Sequence, residues 1–224
     1  HVISHALAAI SSVSTDDLVF FGGTALSHTH LADLRLSEDI DLIARGDRAT
    51  IADQIETAVT RRLRRTFGAV SFTPRLREAR HPAPSVLRVG DVRLQIQLLT
   101  SSGYPSWPTE VRAIEQRYRD APPAHLRVLT SAAFVASKLS AWHDRQTSRD
   151  LYDLWALADS GHISSAAVEL FARSGPLTDA SKVDFTRPPS AAEWEASLAH
   201  QWSEGGRRGG PTRARFTLSA TAPA

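Results

Sequence analysis

The sequence predicts a two-part α/β (α+β) protein: a mixed sheet in the N-terminal part, a helical bundle in the C-terminal part, and a cleft between them. Three observations carry that prediction. Short apolar, β-branched and aromatic runs bounded by turn residues fill residues 18–99. From about residue 130 onward, apolar residues recur at helical spacing instead. Between these regimes stands Ala121-Pro122-Pro123, and a proline pair cannot continue a helix. The expected division is a core domain over 1–121, a helical domain over 122–204 and a flexible Gly/Arg-rich tail over 205–224.

Taken in order, Ile3, Ala6, Leu7 and Ile10 have helical spacing, and Thr15-Asp16-Asp17 turns into a first strand, Leu18 to Phe21. That strand ends at Gly22-Gly23. Thr24 stands where a helix N-cap belongs, with short helical turns expected over Ala25 to Leu31. A second strand follows around Ile40 to Ile43. Asp47 or Thr50 caps a helix to about Thr66, with Ile51, Ile55, Val59 and Leu63 on its core face. Ala69 to Phe72, Ser85 to Val89 and Val92 to Leu99 read as strands, the last two joined by the hairpin signal Gly90-Asp91. Residues 101–109 read as a loop and Glu110 to Tyr118 as a short helix. Beyond the prolines, helices are expected from Thr130 or Ser131 to His143, around Leu151 to Ala158, and from Ser164 to Arg173. A last one opens at the Ser190/Glu193 capping box and carries Trp194, Leu198 and Trp202.

Composition narrows the function classes. The 224 residues contain no cysteine, which excludes disulfides, thiolate metal sites and a thiol nucleophile. No apolar run is long enough for a membrane span. The N-terminal HVISHALAAISSV lacks a basic n-region, so no signal peptide is expected and a bacterial cytoplasmic location is. All basic residues except Lys138 and Lys182 are arginine, which makes Lys138 a choice against the background.

Chemistry concentrates in residues 18–43. A buried strand, a glycine turn and a helix start leave free N–H groups converging on one spot, a cradle for phosphate. In the strand that follows, Asp39 and Asp41 share one face, roughly 6–7 Å apart along the chain. Two such carboxylates can hold a divalent cation together with nucleotide phosphates. Alone, a glycine pair is usually a turn and a D-x-D pair a solvated strand edge. Together, in this order, they form a far more specific signal. On the last strand the neighbouring positions are Gln95 and Gln97.

GGTALSHTHLADLRLSEDIDL resembles the AbiEii/MenT family of nucleotidyltransferase toxins, within the DNA polymerase β-like nucleotidyltransferases. Arg35 and Ser37 fit its pattern. A second segment agrees: Lys138, then Arg145, then Arg149-Asp150-Leu151-Tyr152-Asp153-Leu154. The resemblance covers about residues 15–160. It departs where many polymerase β-like enzymes place a third metal-binding carboxylate, since Gln95 and Gln97 are neutral.

The resemblance implies catalytic roles for Asp39, Asp41, Lys138 and Asp153, with Asp39 and Asp41 holding Mg²⁺. Asp153 is assigned to the acceptor hydroxyl's proton. Nucleotide contacts are expected from Gly22, Gly23, Thr24, Ser27, Arg145, Arg149 and Asp150. Asp150 could instead cap its helix or pair with Arg149, Arg145 or Lys138. His28 and His30 are expected on the polar surface near the phosphate turn. The implied activity is transfer from a nucleoside triphosphate, with CTP as one candidate, to the 3′ acceptor end of tRNA. That would block aminoacylation and translation and arrest growth, under control of a cognate antitoxin. The alternatives are transfer to a protein or small-molecule hydroxyl, or a non-catalytic domain that binds nucleotide or RNA.

Overall fold

The computed structural model describes residues 1–13, 16–31, 37 and 39–198. Arg35, Trp202 and the 205–224 tail lie outside the described residues. The centre is a seven-stranded mixed sheet. Its strands are β1 (Leu18–Phe21), β2 (Ile40–Ala44), β3 (Val70–Thr73), β4 (Ser85–Val89), β5 (Val92–Thr100), β6 (Thr109–Ala113) and β7 (His125–Leu129). The spatial order is β3-β4-β5-β2-β1-β7-β6. β2 runs antiparallel to β1 and parallel to β5, while β7 runs parallel to β1. The acidic strand β2 is therefore central, its apolar Ile40, Leu42 and Ile43 sunk in the core.

Helices α1 (Val2–Ile10), α2 (Gly22–Ser27) and α3 (Arg48–Phe67) accompany the sheet; α4 (Ser131–Arg145), α5 (Ser148–Asp159), α6 (Ser165–Ser174) and α7 (Ala191–Leu198) follow it. Local chemistry sets the boundaries. The Asp47 carboxylate accepts the Thr50 N–H at 2.8 Å and starts α3. Thr130, Thr147 and Ser164 do the same for α4, α5 and α6. Ser190 and Glu193 form the reciprocal box expected before α7. The predicted stripe Ile51, Ile55, Val59, Leu63 is buried to 4% exposure or less, against α1 among others. Val89 and Val92 pair directly, with Gly90 at φ 56° making the two-residue turn.

Four expectations are corrected. Residues 109–113 form a strand, not a helix. Val111, Ile114 and Tyr118 have helical spacing, but Val111 and Tyr118 are about half exposed, and the edge strand β6 is held by its pairing to β7. The proline pair lies in the connection between those two strands, so the sheet continues past it and the helical part begins at Ser131. α2 starts at Gly22, two residues before Thr24. Gly22 sits at φ +78° and turns the chain from strand into helix within one residue. Finally, alternation along the last strand predicts Val92, Leu94, Ile96 and Leu98 on one face, but of these only Leu94, Ile96 and Leu98 are buried, while Val92 at the hairpin end is exposed.

Candidate active site

The β1–α2 corner and the start of β2 are tied together. The Thr24 hydroxyl donates to the main-chain oxygen of Asp39 and lies 2.8 Å from the Ser37 hydroxyl. Thr24 is thus a brace between α2 and the approach to β2, not a helix cap. Asp41 pairs in register with Phe21, the residue before Gly22. A Cβ on Gly22 would collide with the Asp41 carboxylate, so glycine is required here both for its backbone angle and for that close approach.

The electrostatics are strained in a definite direction. Burial, then the charge of Asp39, push the Asp41 carboxyl up to about 6; Lys138 and Arg145 pull the other way. Two anions crowd one place, and two cations of the helical part are near enough to act on it. In the parallel β2–β5 pairing Asp41 faces Gln97. The position beside Asp41 is therefore held by a neutral amide, 3.0 Å from the Nδ1 of His81. Gln95, two residues earlier on β5, is exposed and pairs with Val86 of β4.

The second constellation forms on α4 and α5. Lys138 is 7% exposed, with Nζ 2.6 Å from Asp153 and 3.4 Å from Asp150. Asp150 is fully buried and receives Arg145 through two hydrogen bonds, Nε at 2.6 Å and Nη2 at 2.8 Å, plus the Thr147 hydroxyl at 2.7 Å. Burial alone would raise its carboxyl; the Arg145 hydrogen bond, the Lys138 charge and the Arg145 charge bring it down to about 2. Asp150 therefore both follows the Thr147 cap and anchors Arg145 and Lys138. Arg149 is exposed on the first turn of α5. Asp153 and Tyr152 of α5 line a small cavity together with Gly23 and Ser27 of α2.

A cleft of about 590 Å³ runs between the two parts. Gly22, Lys138 and Arg145 line it, with Tyr104 at one side. Tyr104 was legible only as an aromatic in a Pro/Gly loop. Its hydroxyl is pushed up by burial and by the Asp41 charge, which places it near that carboxylate. His28 and His30 are not on the surface. His28 Nδ1 lies 2.7 Å from the Glu115 carbonyl, and burial lowers both imidazoles.

The profile of the family described as "Nucleotidyl transferase AbiEii toxin, Type IV TA system" matches residues 5–206, extending the resemblance at both ends. The chain belongs to the AbiEii nucleotidyltransferase toxin family. As a member it is a nucleotidyltransferase and the toxin half of a toxin–antitoxin pair, which implies an antitoxin partner. Among solved structures, MenT4, a nucleotidyltransferase toxin of Mycobacterium tuberculosis H37Rv, aligns with TM-score 0.56 and 20% identity over 87% of this chain and 78% of its own. That likeness shows the fold. JHP933 from Helicobacter pylori aligns at TM-score 0.48 and 18% identity, covering 77% and 72% of the two chains. The antibiotic-resistance factor ANT(2″)-Ia aligns at 0.49 and 16%, covering 77% and 88%. No curated protein sequence matches this AbiEii-family chain. Among its described residues no helix is long and apolar enough to cross a membrane.

Proposed function

We propose that this toxin transfers nucleotides from an NTP to the 3′ acceptor end of tRNA, in the cytoplasm, using Mg²⁺, and so blocks aminoacylation, translation and growth. The carrying observation is the convergence on Asp41. Its carboxylate responds to Asp39 from its own approach segment and to Lys138 and Arg145 from α4. Burial first and the Asp39 charge second raise the Asp41 carboxyl, and a carboxylate held that way beside another is suited to a divalent cation. When bound by Asp39 and Asp41, such an ion would supply charge neutralisation at the phosphoryl oxygens.

The chain's own groups do the rest. An acceptor hydroxyl attacks the α-phosphorus and pyrophosphate leaves, so negative charge builds on phosphoryl oxygens. Lys138, fixed by two carboxylates, presents a preorganised ammonium to the cleft. Arg145 is held by Asp150 through Nε and Nη2, which leaves Nη1 for phosphate. Gly22 lines the same cleft, and contacts to the nucleotide from Gly23, Thr24, Ser27 and the exposed Arg149 complete the proposed site. The Asp153 carboxylate is engaged by the Lys138 ammonium, so its role here is positioning that lysine rather than taking the acceptor proton.

Incubation with each α-labelled NTP, Mg²⁺ and either total tRNA or lysate protein tests this. Label is expected on tRNA; label only on protein or on a small molecule overturns the acceptor. One observation favours a second reading, a domain that binds nucleotide or RNA without catalysis: Gln97 occupies the position beside Asp41. Unchanged toxicity of Asp41→Ala would select that reading.

A further inference from the structure

A second cavity, of about 710 Å³, lies beside β5, the strand next to β2. The cleft is lined from β1, α2, β2, β7, α4 and the 103–107 loop, with residues 174–176; the second cavity is lined from β5, the start of α3, residues 77–81 and the same loop region. Tyr104 lines both. His81, also in its wall, contacts Gln97, the register partner of Asp41. We propose that this cavity, lined by Arg48, Arg77, Arg80, His81 and Tyr104, holds the sugar-phosphate backbone of the acceptor RNA and delivers its end to Asp41. The proposal rests on the tRNA-acceptor reading and specifies where that acceptor lies.

The charges point to an anion. Arg48 donates to four main-chain carbonyls, those of Leu98, Arg77, Leu76 and Ala79. Arg80 donates to the carbonyls of Arg77 and Ala79. Neither meets a carboxylate in an ion pair among the described residues. Burial and then the nearby Arg80 charge lower the Arg48 guanidinium, so these two cations lie close enough to repel each other. Arg77 is paired to Asp53 at 3.1 Å. The wall also holds two acids, Asp47, whose carboxyl is held below its usual range by hydrogen bonds from the Thr50 hydroxyl and N–H, and Glu78.

The cavity is also built rather than incidental. Glu56, buried in α3, accepts the Leu76 N–H and the Arg75 guanidinium, and Arg48 grips the same segment from below. The 75–81 segment is therefore held in place before any ligand arrives, which lowers the ordering cost of binding. At the junction Tyr104 is 39% exposed and edge-on to Phe21 at 5.9 Å. An arginine-lined channel ending in an available aromatic face is the combination that tracks a single strand and stacks a base. A second triphosphate fits less well, because the cations near the carboxylates, Lys138 and Arg145, line the other cleft.

The test is fluorescence anisotropy of 5′-labelled tRNA with the full chain, without NTP, from 50 to 200 mM salt. Arg80→Glu is expected to weaken tRNA binding about tenfold or more and to make the salt dependence shallower by about one phosphate contact. Arg65→Glu makes the same charge change near the far end of α3, about 25 Å along the helix from Arg48, and is expected to have less than about a twofold effect. Tyr104→Ala should weaken binding while Tyr104→Phe does not. Binding of a fluorescent ATP analogue should be unchanged in Arg80→Glu. Equal effects of Arg80→Glu and Arg65→Glu, or none from Arg80→Glu and Tyr104→Ala, overturn the inference while wild-type labelling of tRNA leaves the tRNA reading standing. A wild-type chain that labels lysate protein and does not bind tRNA removes that reading, and this inference with it.

Discussion

Replacing Asp41 by Asn should make the metal-free protein more stable while abolishing transfer. Burial and the Asp39 charge move this carboxyl from 3.8 to about 6. At about 1.4 kcal/mol per pH unit, holding it ionised in the folded state costs about 3 kcal/mol. The sign follows from proton binding. Between about pH 4 and 6 the folded chain keeps a proton on Asp41 that the unfolded chain has released, so stability falls as pH rises through that window. The cost is absent below pH 4 and fully present above about 6. Urea denaturation in EDTA should therefore find Asp41→Asn indistinguishable from wild type near pH 4 and up to about 3 kcal/mol more stable at pH 8. Added Mg²⁺ should stabilise the wild type at pH 8 and leave the variant unmoved, because only the wild type gains a ligand. A variant no more stable than wild type at pH 8, or a difference that ignores pH, refutes the claim that this carboxylate is held at a cost to stability for a cation.

Three further outcomes are expected. Lys138→Ala should lower kcat for nucleotidyl transfer by about 10²–10³, the loss of one preorganised donor, with little change in fold by circular dichroism. Asp150→Asn should cost about 3 kcal/mol by chemical denaturation, because it leaves Lys138 short of one partner and Arg145 without its carboxylate. The stabilisation from the depressed Asp150 carboxyl is present above about pH 4 and lost as pH falls toward 2, so the gap to wild type should close across that acid range. Gly22→Ala should lose transfer activity and at least about 1 kcal/mol of stability, from the positive φ and from collision with the Asp41 carboxylate.

Much of this was legible in the sequence where local rules decide. Caps at Asp47, Thr130 and Ser190 and the hairpin at Gly90-Asp91 depend on a few adjacent residues. The closeness of Asp39 to Asp41 follows from their spacing in sequence, although Asp39 stands just before β2 rather than in it. Lys138 stood out as a rare lysine among arginines, and the family resemblance pointed to it and to Asp150. What was not legible depends on distant partners. β6 forms because β7 pairs with it, and its exposed side chains carry no alternation to read. Thr24 looks like a cap until Ser37 and Asp39 fold back onto it. Asp153 offers a carboxylate by position, and only the packing of α4 beside α5 brings it to Lys138. The arginine cavity joins residues from α3, β5 and two loops, and no stretch of sequence announces it.

The central claim is that Asp39, Asp41 and Lys138 share one metal–triphosphate pocket. A crystal of the wild-type protein with Mn²⁺ and a non-hydrolysable NTP tests it most directly. An anomalous peak within coordination distance of both carboxylates, with a triphosphate oxygen within reach of Lys138 Nζ, is the predicted result. Metal instead at the His1, His5 and Asp120 cluster, which brings three ligand atoms within 4.8 Å of one another, with nucleotide away from Lys138, would contradict it.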